Sequence, residues 1–252
     1  MKIGLALSGG GARGIAHLGV IKALNELGIK PSMIAGTSAG SIAGTMTAAG
    51  YSPEFTFDII QSSGISNFLK LSFNRFGLFN LDKLESVFLK HIPHNSFENL
   101  KIPMVICATD IEKGEAVYFS EGELAKAVLA SCCLPGIFSP IKFQGRLLVD
   151  GGILNNLPIE PLQNHCDFII GVNVTPISNS MPIKSAKDVL MKSLFTAINQ
   201  NSSEKLSRCD IAIEPHEIFR FDGLNLKKSK ELFDLGYQSA MQQLEGKMSN
   251  II

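Results

Sequence analysis

The chain has 252 residues, enough to bury a full core, and its 23 Lys plus Arg balance 23 Asp plus Glu, so the formal net charge is zero. That balance excludes a protein that binds polyanions through basic excess, and with it a nucleic-acid partner. Cys107, Cys132, Cys133, Cys166 and Cys209 form no C-x-x-C pair, a pattern that points to reduced thiols in a cytoplasmic protein.

In chain order, Lys2–Leu7 is an apolar strand. Only five mostly apolar residues follow Met1-Lys2, too few for a secretory signal. Ile15, Leu18, Ile21 and Leu24 repeat at helical spacing, so a helix is expected over Ala12–Leu27, with Gly28 just past its end. Ser32–Ala35 is the second strand and Ala39–Ala49 the second helix. The segment from Pro31 to Pro53 carries no charge, but its Gly, Ser and Thr content is too polar for a membrane span. A β-α-β-α start of this kind implies parallel neighbouring strands.

Ser52–Leu100 breaks the rhythm. Helical patterns at Pro53–Gln61 and Leu81–His91 flank an aromatic stretch, Phe68–Phe79, and half of the phenylalanines, eight of sixteen, fall between Phe55 and Phe97. Strands resume at Ile102–Thr109 and Ala116–Phe119. A helix is expected over Glu123–Ser131 and a strand over Arg146–Val149. Strand Phe168–Val174, helix Ala186–Leu206, strand Asp210–Ile213 and helix Lys227–Leu244 complete the chain. Strand–helix alternation without internal repeats predicts one three-layer α/β/α domain over residues 1–252 with a mostly parallel sheet, and a cap-like insertion at 52–100.

Two glycine-containing turns carry the chemistry. Gly36-Thr37-Ser38-Ala39-Gly40 fits G-x-S-x-G, the sharp strand-to-helix turn that exposes a serine hydroxyl as a nucleophile. One strand upstream, Gly9-Gly10-Gly11-Ala12-Arg13-Gly14 opens a helix, where amide N–H groups are suited to a negatively charged oxygen. A nucleophile beside oxyanion donors reads as acyl transfer, against the blander reading of a small-residue turn that merely packs a helix on the sheet. Gly9-x-Gly11-x-x-Gly14 also matches the dinucleotide fingerprint, so an NAD(P)-dependent enzyme is the rival. That site needs an acid about 20 residues further on. The only acid before Glu54 is Glu26, inside the first helix, and no arginine stands at the tip of strand two.

A serine nucleophile needs a base. His91, His94, His165 and His216 follow Ser38, yet none sits in a glycine-rich turn at a strand end, and His17 reads as a structural imidazole on the first helix. Asp150 does follow an apolar strand, Leu147-Leu148-Val149, and precedes Gly151-Gly152. The carboxyl end of a strand is where α/β proteins place working residues, although Asp-Gly is also a common turn pair.

Taken together, the Gly9–Gly14 loop, the Gly36–Gly40 turn and Asp150-Gly151-Gly152 resemble the three ordered signatures of patatin-like phospholipases, of the compact bacterial kind. Asn156 and Pro158 resemble the family's extension of the third. The resemblance implies a Ser38–Asp150 dyad without a catalytic histidine and an oxyanion hole from Gly9, Gly10 and Gly11 with Arg13 near it. Arg13 then either adds to the field at the oxyanion or holds the loop by bonding carbonyls. Ser8 departs from the pattern, since many members carry Asp there. The function expected is hydrolysis of lipid or lysophospholipid esters, in the cytoplasm or peripherally at the inner face of the membrane. No metal or cofactor is implied, since no His, Cys or carboxylate cluster has ligand spacing. A non-catalytic lipid-binding module is the other alternative. The aromatic insertion has two readings: a lid or membrane-facing wall, with Lys70 and Arg75 meeting lipid phosphates, or an ordinary hydrophobic subcore.

Overall fold

The structure, a computed structural model, describes residues 1–63, 81–176, 183–223 and 225–247. The aromatic stretch Phe68–Phe79, with Lys70, Phe73, Arg75 and Phe76, lies outside the described residues.

The strands are β1 (Ile3–Leu7), β2 (Met33–Thr37), β3 (Met104–Asp110), β4 (Glu115–Phe119), β5 (Ile141–Phe143), β6 (Arg146–Asp150), β7 (Phe168–Val172) and β8 (Ile211–Ile213). They form one sheet in the order β5-β6-β3-β2-β1-β7-β8, with β4 also paired to β3. From β3 through β2, β1 and β7 to β8 every pairing is parallel. The β3–β4, β3–β6 and β5–β6 pairings are antiparallel.

Side-chain alternation along the central strands builds two cores. Leu5, Leu7, Ile34, Ile106, Ile170 and Val172 face one cluster, which also takes residues of α1 (Ile15–Glu26), α2 (Ala39–Ala48), α5 (Leu124–Ser131) and α9 (Ser229–Glu245). Ala6, Ala35, Val105 and Ile169 face the other, together with Leu162 of α7 (Glu160–Gln163) and Leu206 of α8 (Ala186–Leu206). A period of two on a sheet with both faces covered gives three layers. The remaining helices are α3 (Pro53–Ser62), α4 (Asp82–His91) and the short α6 (Gly152–Asn155). Ser52 caps α3, its hydroxyl accepting from the Phe55 amide, with Pro53 in the first turn.

Three departures from the sequence reading have local causes. The first helix begins at Ile15, because Gly11–Gly14 form a 3₁₀ turn whose Ala12 amide donates to the Gly223 carbonyl. β2 extends to Thr37, which pairs with Cys107 of β3. β5 is three residues long, too short for alternation to be visible; it joins β6 through a tight turn with positive φ at Gln144 and Gly145.

One feature of the sheet decides where the site forms. β4 pairs with β3 over Ile106–Asp110, a span that overlaps both the β2 pairing (Met104–Cys107) and the β6 pairing (Ala108–Asp110). A strand has only two edges, so β2 and β6 must share the one opposite β4. They run towards each other along it and stop at adjacent residues: Thr37 opposite Cys107, Asp150 opposite Ala108. The carboxyl ends of both strands meet there.

Helices α1 and α9 approach to backbone contact. A Cβ on Gly236 would lie 2.0 Å from the Ala16 carbonyl oxygen, and one on Gly19 would lie 2.0 Å from that of Phe233. Alanine favours a helix interior by about 1 kcal/mol over glycine, yet these neighbours are main chain and cannot rotate away. Gly236→Ala is therefore expected to destabilise the protein by about 1–3 kcal/mol, the usual cost of overpacking. Urea denaturation checks this, and a stabilised variant would show that the two helices separate freely.

Candidate active site

Ser38 occupies the single residue between β2 and α2, with φ 50° and ψ −122°. A non-glycine residue held at positive φ costs on the order of 1–3 kcal/mol unless its surroundings fix it. They do. The Ser38 amide donates to the Ser131 hydroxyl at 2.7 Å, and the Thr37 hydroxyl donates to the Asn155 carbonyl at 2.9 Å. The Ser38 carbonyl accepts from the Ser41 and Ile42 amides. The flanking glycines leave room for this turn: a Cβ on Gly40 would sit 2.3 Å from the Leu7 carbonyl oxygen, and one on Gly36 2.6 Å from that of Gly40.

Asp150 ends β6 and is buried, with 5% of its surface exposed. Its amide donates to the Cys133 carbonyl at 2.9 Å, and its Oδ1 accepts from the Gly152 amide at 2.8 Å. The Ser38 side chain lies close enough to the same carboxyl group to favour its ionised form. Burial pushes the Asp150 pKa up to about 6, against the opposing pull of Gly152 and Ser38, which favour the carboxylate.

The glycine loop packs against this pair, a Cβ on Gly9 falling 3.2 Å from the Ser38 Cβ. Its amides are not equivalent. Gly9 N–H donates to the Asn156 carbonyl at 3.1 Å. The Gly9 amide, one of the expected oxyanion donors, is therefore already paired in this structure. Asn156 is itself buried, donating to the Thr175 and Ser202 hydroxyls at 3.1 and 3.0 Å. Of the two readings of Arg13, its hydrogen bonds go with the second. Its guanidinium turns to the segment before α9, donating to the Phe221 carbonyl at 2.8 Å and the Phe219 carbonyl at 3.3 Å. It holds the loop through carbonyls, and these belong to a distant part of the chain. Ser8, the departure from the family pattern, is fully buried; its hydroxyl donates to the Gly9 carbonyl and accepts from the Val174 amide.

An apolar cavity of about 180 Å³ opens at Ser38. It runs between α1 and α2, with Leu18 and Ala43 along its sides and Ile60, Leu81 and Leu84 from the α3–α4 region closing over it. Leu226 supplies a further wall. Among the described residues that line it, polar side-chain atoms are confined to Ser38 and the Cys132 thiol.

The sequence pattern of the family described as patatin-like phospholipase matches residues 5–162. The chain belongs to the patatin-like phospholipase family. An uncharacterized NTE family protein of Mycobacterium tuberculosis is 36% identical over 189 residues, 74% of this chain and 52% of that protein. Lysophospholipase nte1 of Aspergillus fumigatus is 33% identical over 193 residues, 71% of this chain and 12% of that protein. An uncharacterized protein of Acanthamoeba polyphaga mimivirus is 30% identical over 275 residues, covering 95% of this chain and 93% of its own length. The chain thus spans about half the length of the mycobacterial relative. In fold it resembles VipD from Legionella pneumophila, with a TM-score of 0.57 at 17% identity over 97% of this chain and 67% of that one.

Within this family member three of the histidines have partners of their own. His17 is fully buried and neutral, its Nε2 bonded to the Ser8 carbonyl at 2.8 Å, and burial pushes its pKa down to about 4. Its Nδ1 has no partner, so the imidazole is satisfied on one side only. His165 bonds the Pro161 carbonyl on the surface, and His91 packs edge-on against Tyr51 and Phe55. Burial pushes the Cys132 and Cys133 thiols upward, so both stay protonated and unreactive. Among the described residues no helix is long and apolar enough to cross a membrane, and no cluster of His, Cys, Asp and Glu has the arrangement of a metal site.

Sequence reasoning missed Ser131, Cys133 and the 219–223 segment. Cys133 and the 219–223 segment act through backbone carbonyls and Ser131 through a hydroxyl bonded only to main-chain groups, none of which leaves a pattern to read.

An acid with a folded pKa of about 6 against an ordinary 3.8 binds more protons folded than unfolded between those values. Stability therefore falls as pH rises through that window, by ~3 kcal/mol once the group is ionised. Asp150→Asn keeps the acceptor for Gly152 without the buried charge. It is expected to be more stable than the native protein at pH 7.5, by up to about 3 kcal/mol, and no more stable at pH 4. Urea denaturation at the two pH values tests this, and equal or lower stability at pH 7.5 would contradict it.

Proposed function

We propose that this protein is a serine acyl hydrolase that cleaves lipid esters, of the phospholipase, lysophospholipase or carboxylesterase type, through an acyl-enzyme on Ser38. The observation that carries this reading is that Ser38, beside the buried Asp150 carboxyl group, lines an apolar cavity. Membership of the patatin-like phospholipase family and likeness to a relative named lysophospholipase support it.

In the proposed reaction the substrate carbonyl sits over Ser38 with its oxygen towards the Gly10 and Gly11 amides. Asp150 takes the hydroxyl proton as Ser38 Oγ attacks the carbonyl carbon. Collapse of the tetrahedral intermediate breaks the ester C–O bond, and Asp150 returns the proton to the departing alkoxide. Water, deprotonated by the same carboxylate, then attacks the acyl carbon; the bond to Ser38 Oγ breaks, Asp150 returns the proton to Oγ, and the fatty acid leaves. An unperturbed aspartate, with a pKa of about 3.9, is a weak base for a hydroxyl. The upward shift from burial moves Asp150 towards the operating pH, where general bases work best.

Ser38→Ala should abolish labelling by a fluorophosphonate probe while the circular dichroism spectrum stays native. Asp150→Asn should lower turnover by about 10²–10⁴, the range of a positioned general base. Because the base must be ionised to act, kcat/KM should rise with pH on an acid limb centred near 6, the value burial gives Asp150. Probe label on another residue, or a histidine variant as inactive as Asp150→Asn, would return the enzyme to a different machinery.

The cavity wall suggests an acyl site. Each buried methylene contributes on the order of 0.8 kcal/mol, so kcat/KM should climb with acyl length until the space is filled. Ala43, 3% exposed, lines that space. Ala43→Leu should flatten the climb, lowering kcat/KM for longer esters more than for an acetyl ester. An unchanged profile across p-nitrophenyl esters of increasing length would show that the acyl chain lies elsewhere.

A further inference from the structure

The edge of β3 that β2 and β6 share has a gap in it. β2 stops opposite Cys107 and β6 stops opposite Ala108, so neither strand supplies the Cys107 carbonyl with a ladder partner on this side. The end of α5 fills the gap. The Ser131 hydroxyl donates to the Cys107 carbonyl at 2.6 Å and accepts from the Ser38 amide at 2.7 Å. Two residues on, the Cys133 carbonyl accepts from the Asp150 amide at 2.9 Å. A single three-residue turn therefore holds the main chain of Ser38 and the main chain of Asp150. Ser131 is fully buried, and α5 is anchored behind it by buried Leu124, Ala127 and Val128.

We infer that the Ser131–Cys133 turn sets the distance between Ser38 and Asp150, and that Ser131 is a positioning residue which keeps the Ser38 hydroxyl aimed at the carboxylate. The inference rests on Ser38 and Asp150 being the reacting pair. The chemistry of the hydroxyl fits the task. One donor and one acceptor position are both used, on main-chain groups that have no water to turn to. With the hydroxyl removed, the Ser38 amide loses the bond that pins its unusual backbone conformation. The turn then relaxes and the hydroxyl drifts from Asp150, while the cavity that receives the acyl chain stays as it is.

The experiment compares Ser131→Ala, Ser131→Cys and Ser131→Thr with the native enzyme. Active sites are first counted by exhaustive fluorophosphonate labelling, and kcat is expressed per labelled Ser38. The alanine and cysteine variants should turn over about 10–100-fold more slowly per labelled site, as expected for a slight misplacement of the attacking group. Their KM should stay within about twofold, because ground-state binding is untouched. Threonine keeps the hydroxyl and should restore most of the loss. A residue that matters only for folding would lower the melting temperature and the number of labelled sites, leaving turnover per site at the native value; that result overturns the inference. Should the alanine variant not fold, the cysteine variant carries the test, since its thiol is close in size and a weak acceptor. Native enzyme that is active but unlabelled at Ser38 would instead refute the reacting pair, and the inference with it.

Discussion

Everything at the site depends on one edge of one strand. β3 is saturated by β4 along its outer side, so β2 and β6 have to divide the inner side between them. Hydrogen-bond geometry forces their ends together, and the residue that follows β2 and the residue that ends β6 are Ser38 and Asp150. The antiparallel β5–β6 hairpin, at one end of the strand order, delivers a carboxylate to this point from the opposite direction. A wholly parallel sheet would have placed a second strand end beside Ser38 only from a neighbouring strand.

The same crowding explains the composition around the pair. Glycines at 36 and 40 let the α2 start lie against the end of β1, and Gly14 lets the 3₁₀ turn approach Ala39. Such small residues carry few contacts, so the site is held by hydrogen bonds between main chain and buried hydroxyl or amide groups. Ser8, Thr37 and Ser131 are buried and their hydroxyls bond backbone groups of other elements, while the buried Asn155 and Asn156 accept at their own carbonyls from the Thr37 hydroxyl and the Gly9 amide. Buried polar groups are costly unless paired, and paired in this way they fix positions that packing of alanine and glycine would leave loose. The exception is the Asp150 carboxyl, whose elevated pKa records an uncompensated charge. Under the proposed reaction, stability is given up where the charge is needed, a trade familiar at working sites.

A second dependence runs from the far end of the chain. The glycine loop is clamped between Asn156 on one side and the Gly223, Phe221 and Phe219 carbonyls on the other. Those carbonyls lie beyond the stretch matched to the family, residues 5–162. Arg13 is well suited to the clamp because its planar fork can serve two carbonyls at once. The loop is thereby tied to α9, which packs on α1, so the orientation of the Gly10 and Gly11 amides is a property of the whole chain.

By itself the sequence determined the parallel β-α-β start, both glycine turns, Ser38 and Asp150, because each of these is a local pattern. Apolar runs, helical spacing and the steric need for a bare Cα are all written within a few residues. It also bounded the chemistry, since no acid stood where a dinucleotide site needs one. Only the tertiary structure decided which amides of the Gly9–Gly11 loop are already engaged, where Arg13 points and what Ser131 holds. Those outcomes are hydrogen bonds to main-chain groups far away in sequence, such as Ser38 to Ser131 and Arg13 to Phe221, with sequence separations of 93 and 208. A backbone carbonyl is the same group in every residue, so nothing in the side-chain order marks the one that a distant donor will find.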